Sequence, residues 1–509
     1  MPPRVVDVKP IVGMEVHVEL RTRRKMFAPA PNPAHPDFAD AAPNTLTDPV
    51  VLALPGALPV LNRAAIELSI RVGLALGCEI ASRTKWDRKS YFYPDLPKAY
   101  QISQYDEPIC GRGAFDLLDD EGEPIRTIGV TRAHLEEDAG KLLHEAPGGH
   151  PIPHSIVDLN RAGAPLLEIV TEPDFRSADE CVRFAMHLRS ICRWLGATEG
   201  DMQKGHMRFE PNINCVLTLD DGREVRTPIV EVKNLNSFRA LGGAVEYELK
   251  RQPERFREDG REMGRGMKVT RGWDDARLAT VRQREKEDAH DYRYFPDPDL
   301  PTVTIDTLWV DRLRAEQPEL PHHLAIRYAK ELSLASKEAN ALIAERPAHD
   351  YYTATVDVAV AGGADPTEAR KAAANLVLQA GFRLANERDV TVERLGATSE
   401  QAGGVVSLRL AGTISANAAE QLFEALCESD ETADAAAERL GLVQVSDAGQ
   451  LDEWCRAVMD DPANAAAVAD LRGGKPQAAG RLIGGVMKLS GGQADAKAVR
   501  ERILALVGA

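Results

Sequence analysis

The sequence has no CxxC pair, and its seven cysteines (Cys78, Cys110, Cys181, Cys192, Cys215, Cys427 and Cys455) are scattered over 509 residues. An odd, dispersed set fits neither a disulfide framework nor a four-thiolate zinc site, which leaves reduced, buried thiols. No charge-free apolar run reaches the roughly 18 residues of a membrane helix. The longest, residues 49–62, contains three prolines. The N-terminal MPPRVVDVKP lacks the apolar core of a secretory signal, so a cytoplasmic protein without membrane contact is expected. Positive charge is also short: 62 Lys+Arg stand against 78 Asp+Glu, a net charge of −16. A protein that coats nucleic acid by bulk charge is thereby excluded, although a local basic patch is not. The P-loop spacing, GxGxxG, GxSxG and HExxH are all missing, and so are the nucleotide cradles and self-contained hydrolytic centres they mark.

What is present belongs to a folded chain, with 44% hydrophobic and 28% charged residues and length for about three domains. Up to about Pro301 the text alternates between short strands and turns, and from Pro321 it is alanine-rich and helical. Asp220-Asp221-Gly222 marks a hairpin. Ser177 to Glu180 opens a helix with a capping box, ending near Gly196. The expected fold class is α+β: a mainly antiparallel sheet cradle over residues 1–300, a helical domain over 301–404, and a small all-α tail over 405–509. The second boundary is placed at Ala402-Gly403-Gly404, read as a glycine break. Charge divides the helical part too: residues 420–470 carry net −11, whereas residues 471–509 carry net +5.

Candidate chemistry lies mostly in the first part. Residues 14–20 alternate, so in a strand Glu15, His17 and Glu19 share one face and Val16, Val18 and Leu20 the other. Two carboxylates and an imidazole suit a hard divalent cation, while a solvated strand face has the same pattern. His134 to Lys141 packs Glu136, Glu137 and Asp138 into an acidic knot that needs a cation if buried, and is otherwise an acidic loop. Glu168, Glu210 and Glu231 stand among apolar neighbours in strand-like text and call for partners. Arg88 and Lys89 precede a run of aromatics, and Asp291 to Asp297 repeats the mixture. Both suit base stacking or phosphate clamping, or an aromatic core with a salt bridge.

GMEVHVEL, LPGALPVLN, DRKSYFYPDLPKAYQISQ, HLEEDAGK, VDLNRAGAPLLEIVTEPD, EVKNLNSF and DYRYFPDPDLP resemble, in order, the signature blocks of the B-subunit family of aspartyl/glutamyl-tRNA amidotransferases. The closing GGKPQAAGRLIGGVMKLSGGQAD resembles that family's helical tail, which is similar to free-standing YqeY proteins. The resemblance implies a ligase component that converts misacylated Glu-tRNA(Gln) or Asp-tRNA(Asn) to the amide with ATP and Mg²⁺. Its implied partners are the amidase component of the enzyme, which releases ammonia from glutamine, and a small third component that braces the pair. Carried over motif by motif, Glu15, His17, Glu137, Glu210 and Glu231 would hold Mg²⁺. Lys89, with Arg88 beside it, would face the phosphates, and Glu15, His17, Lys89 and Glu137 would form the catalytic set. Arg472, Lys475, Arg481 and Lys488 of the tail would contact tRNA. Two departures stand out: family members with a zinc site carry cysteines where this chain reads RKMFAPAP, so no zinc is expected, and Glu210 replaces an Asp common in the family. The rival expectation is a non-catalytic tRNA-binding or assembly protein, which would show net-positive surfaces in place of clustered carboxylates.

Overall fold

The computed structural model describes residues 4–146, 150–264, 267–285, 291–444, 448–473, 475–491 and 493–508. The chain forms two compact units, residues 1–323 and 324–509.

The first unit is built on a 12-stranded sheet. Its strands are β1 (Val5–Glu19), β2 (Asp87–Ser90), β3 (Tyr100–Ser103), β4 (Gly113–Leu118), β5 (Pro124–Glu137), β6 (Pro165–Thr171), β7 (Met207–Leu219), β8 (Glu224–Arg226), β9 (Val230–Lys233), β10 (Val269–Asp274), β11 (Ala279–Glu285) and β12 (Phe295–Pro296). The spatial order is β11-β10-β9-β7-β1-β6-β5-β3-β2-β12, with β8 beside β7 and β4 beside β5. Every pairing is antiparallel except β9 with β10. Central β1 lies between β6 and β7, and its alternation sends Val12, Met14, Val16 and Val18 into the core.

Three helices supply the other side of that core: α1 (Arg63–Ala75), α2 (Ala178–Trp194) and α3 (Phe238–Asp259). Ile70 of α1, Phe184 and Leu188 of α2, and Leu241 and Val245 of α3 are buried with the β1 valines. Each such side chain contributes about 1.5–3 kcal/mol on leaving water. Ser177 caps α2 as expected, its Oγ accepting from the Glu180 amide at 3.1 Å, but the expected capping box is only half formed, because the Glu180 carboxylate accepts from the Arg176 amide at 2.8 Å and from Arg126. The expected hairpin joins β7 to β8, with Gly222 at φ 82°, a left-handed turn position that glycine occupies at little cost. Helices therefore cover one face of the sheet, and polar residues populate the other.

The second unit is helical. The glycine pair read as a break lies inside the helix Ser399–Leu410, which corrects that expectation. A Cβ on Gly403 would stand 2.5 Å from Val358 Cβ, so the glycine permits close packing against the helix Arg346–Ala361. Helices Ala448–Asp460, Ala465–Arg472, Ala479–Leu489 and Ala496–Gly508 enclose a core of their own that includes Leu451, Cys455, Leu482, Val499 and Ile503. All seven cysteines are buried and free of disulfides. Among the described residues no helix is long and apolar enough to cross a membrane.

Candidate active site

Strand register assembles the site. His17 of β1 stands opposite Arg208 of β7 on one side and Glu168 of β6 on the other, and Glu168 stands opposite His134 of β5. One row across four strands therefore reads Arg208, His17, Glu168, His134. Two residues along β1, Glu15 faces Glu210 of β7, and beyond it Asn212 faces Glu231 of β9. Cross-strand partners lie about 4.5–5.5 Å apart at Cβ, which brings side chains distant in sequence within reach of one ion.

Two groups result. In the first, ligand atoms of His17, Glu136 and Glu168 lie within 4.8 Å of one another. His17 Nε2 is 3.4 Å from Glu168 Oε2 and 4.0 Å from Glu136 Oε1, while Ser103 Oγ donates to Glu136 Oε2 at 3.3 Å. In the second, Glu15, Glu210 and Glu231 meet the same 4.8 Å limit. Asn212 Nδ2 donates to Glu15 at 3.0 Å, Lys233 Nζ to Glu210 at 2.6 Å, and Thr270 Oγ1 to Glu231 at 3.0 Å.

The electrostatics follow from this crowding. Burial opposes a charged His17, yet the Glu168 hydrogen bond and the charges of Glu168, Glu210 and Glu136 raise its pKa to about 9. Burial also opposes an ionised Glu168, but His17, His134 and Lys89 hold it well below the usual carboxylate range. Glu136 is pushed up to about 7, first by burial and then by the charge of Glu168. Burial keeps His134 neutral, with its pKa lowered to about 4. Burial lowers the Lys233 ammonium, but Glu210 and Glu231 outweigh it and keep it charged.

The sheet separates residues that the strand pattern and the motifs had grouped. Glu19 does not join Glu15 and His17: it lies beside Asp138 and Arg208, with burial and the Asp138 charge raising its pKa to about 8. Glu137 does not share a site with Glu15 and His17 either. As the neighbour of Glu136 in β5 it points to the opposite face. There its Oε1 accepts from the Ile102 amide at 3.0 Å and pairs with Lys98. Lys89 stands on the site's side, 5.1 Å from the centre of the Tyr292 ring, and its charge acts on Glu136 and Glu168. Arg88 is turned away and bonded to Asp297 at 2.8 Å and Asp299 at 2.9 Å, over the Tyr100 ring.

Residues 10–311 match the GatB/GatE catalytic domain and residues 357–507 the GatB domain. The aspartyl/glutamyl-tRNA(Asn/Gln) amidotransferase B subunit of Rhodopirellula baltica is 40% identical over 501 residues, covering 98% of this chain and 97% of its own. Its counterpart in Janthinobacterium sp. (strain Marseille) is 43% identical, with 95% and 96% covered, and that in Anaeromyxobacter sp. (strain Fw109-5) is 43% identical, with 96% and 97% covered. The chain belongs to this B-subunit family.

In this B-subunit chain the remaining sequence candidates lie in the tail. Arg472 and Lys488 are exposed, Lys475 is tied to Asp470 at 2.9 Å, and Arg481 donates to the Ala463 carbonyl at 2.9 Å. Sequence reading missed Lys233, although Glu231 and Lys233 are two apart in EVKNLN and therefore share a strand face. It noted Glu136 and Glu168 as acidic without selecting them, and the register with His17 is what makes them site residues.

Proposed function

We propose that the two carboxylate groups on the open face of the sheet form the phosphoryl-transfer centre of a tRNA-dependent amidotransferase. The family makes the chain one component of that glutamine-dependent carbon–nitrogen ligase, working with the amidase and the small third component on misacylated tRNA. The observation that carries the residue assignment is the approach of Glu15, Glu210 and Glu231 within 4.8 Å, beside His17, Glu136 and Glu168 at the same spacing. Three carboxylates so close repel one another unless a cation is shared among them, and the buried His17 Nδ1 has no hydrogen-bond partner among the described residues. The carboxylate oxygens of Glu15, Glu210 and Glu231 fit Mg²⁺, a hard cation that takes oxygen ligands, whereas His17, with its pKa raised to about 9, would have to lose its proton to join them. When bound, Mg²⁺ supplies neutralisation and alignment for phosphate oxygens.

The chemistry this permits is a two-step exchange on the aminoacyl side chain. A free carboxylate is a poor acyl donor. Its oxygen attacks the γ-phosphorus of ATP, ADP departs, and the resulting acyl phosphate carries a good leaving group. Ammonia then attacks the acyl carbon, phosphate leaves, a proton is lost, and the amide remains. Such transfer depends on positioning and charge neutralisation, with no protein nucleophile required. Lys89 contributes a fixed positive charge on the site's side, and Lys233 orients Glu210. Glu137 is assigned a positioning role through Lys98, and Arg88 a role in anchoring residues 295–299. Exposed tail cations provide a tRNA contact, no zinc is needed, and the cytoplasm is the assigned location.

The test is ATP- and glutamine-dependent amide formation on each misacylated tRNA, with the two partner proteins added or omitted and Mg²⁺ titrated. Amide formation that needs Mg²⁺ and is lost in Glu15→Gln and Glu231→Gln supports the centre. Unchanged turnover in both variants would assign the acidic face to another role.

A further inference from the structure

On the helix-covered face, residues of α3, β9, β10 and β11 line a cavity of about 290 Å³. Val230, Val269 and Phe256 make part of its wall apolar. Six cations also line it: Arg251, Arg255, Arg261, Lys268, Arg271 and Arg282. Among the described residues the one carboxylate in the lining is Asp259, which holds Arg255 at 2.9 Å. Behind the wall, fully buried Glu248 is divided between Arg251 at 2.8 Å and Arg271 at 3.2 Å. Lys268 reaches towards Glu231 at 3.6 Å. Among the described residues the Arg261 guanidinium makes no ion pair; its backbone amide is what binds Asp259.

Arg251 and Arg271 share the single Glu248 carboxylate, and among the described residues Arg261 has no ion pair, so positive charge is in excess around a concave, partly apolar space. Burial, followed by the charge of Arg251, holds the Arg271 guanidinium below its ordinary range, as expected where cations crowd without enough anions. Guanidinium forks match phosphate oxygens in pairs, and ligand pockets run from about 300 Å³ upwards, so this cavity suits one small molecule. Its concave form suits a compact anion better than a continuous RNA backbone, which tracks an extended groove.

We propose that this cavity is a second anion site, which binds a free nucleotide of the nucleoside diphosphate class without a metal ion. The apolar wall takes the base or sugar, and Arg255 and Arg261 at the mouth take the phosphates. The cavity lies on the face of the sheet opposite the phosphoryl-transfer centre, and Lys268 of its lining reaches Glu231 of that centre.

The experiment is equilibrium binding of ADP to the assembled amidotransferase in EDTA, which removes the metal-dependent contribution of the carboxylate face. ADP should bind once per chain, more tightly than inorganic phosphate. Arg255→Ala with Arg261→Ala should weaken it by about tenfold or more, since each arginine supplies a charge-assisted contact. Arg255→Lys with Arg261→Lys should keep part of the affinity, and Glu15→Gln should leave it unchanged. Absence of ADP binding in EDTA, binding unaffected by the double alanine variant, or displacement of ADP by tRNA would each overturn the proposal; displacement by tRNA would reassign the cavity to RNA.

Discussion

Glu15 and Glu210 stand directly opposite each other across β1 and β7, two acids where cross-strand pairing ordinarily disfavours like charges. Glu231 joins them, and Lys233 hydrogen-bonds to Glu210. Such an arrangement costs stability without a bound cation and recovers it on binding one. Glu15→Gln keeps an acceptor for Asn212 and removes one charge. It should leave the melting temperature in EDTA unchanged or raised, and lower Mg²⁺-dependent amidation by about a hundredfold or more. Near-normal turnover at saturating Mg²⁺ would count against Glu15 as a ligand.

Lys233 competes with a cation for the same oxygens. Replacing it with Met should therefore destabilise the protein in EDTA by about 1–3 kcal/mol, the cost of leaving a charge partner unpaired. Added Mg²⁺ should restore more stability to Lys233→Met than to the unchanged protein. Melting curves with and without Mg²⁺ read both effects, and equal Mg²⁺ responses would separate Lys233 from the metal.

Much of this was legible in the sequence, and the limits have physical causes. The alternation of β1, the cap at Ser177 and the hairpin at Gly222 are local signals, and each appears in the fold as expected. The partition of Glu15 and His17 between two groups is not local. Same-face neighbours on a strand lie about 6.6 Å apart. Each is completed by whichever strand lies alongside: Glu15 by β7 and β9, His17 by β6 and β5. Strand order does not follow from periodicity in one sequence. Glu136 and Glu137 were inseparable for a related reason. A register irregularity between Val130 and Arg132 hides the parity of β5, and the acidic knot, which had an acidic loop as its alternative reading, is the strand's own end. The glycines at 403 and 404 were legible as unusual, but only the proximity of Val358 shows that Gly403 serves packing.

Glu137 allows a clean separation of roles. Its carboxylate is buried with Lys98 and bonded to the Ile102 amide, so Glu137→Ala should cost about 3 kcal/mol or more by stranding a buried ammonium. Mg²⁺ affinity, measured by calorimetry on the folded protein, should change far less than in Glu15→Gln. Equal losses of affinity in the two variants would bring Glu137 back among the ligands.

His187 and His322 stack at 5.4 Å beside Phe115. Burial first, then nearby positive charges, lowers their pKa values to about 4 and about 3. An unfolded histidine titrates near 6.5, so below that pH the unfolded state takes up protons that the folded pair refuses. Stability should be full above about pH 6.5 and fall by roughly 1–2 kcal/mol per histidine as the pH drops from about 7 to about 5. Urea midpoints at the two pH values measure the slope. His187→Gln with His322→Gln should flatten it, and an unchanged slope would place the pH sensitivity elsewhere.

The tail's seven cations after Leu471 differ in how free their charges are, and that difference predicts an order of importance. Lys475 is paired with Asp470 and Arg502 with Asp452, so RNA phosphates would have to replace an existing partner. Arg472 and Lys488 are exposed, and among the described residues neither forms an ion pair. A phosphate contact from such a residue releases a condensed counterion, and each contact adds roughly 0.7–0.9 to the slope of log affinity against log salt. Arg472→Ala with Lys488→Ala should therefore weaken tRNA binding and flatten its salt dependence by about one to two units, while Lys475→Ala should do so less. Because a Cβ on Gly485 would lie 2.7 Å from Val458, that glycine is explained by helix packing, whereas Gly484 faces open space. Gly484→Ala should thus stabilise the helix by about 1 kcal/mol, with tRNA affinity falling only if RNA backbone approaches there. Titrating tRNA into the assembled complex at two salt concentrations tests all three variants, and equal slopes throughout would remove these tail residues from the RNA interface.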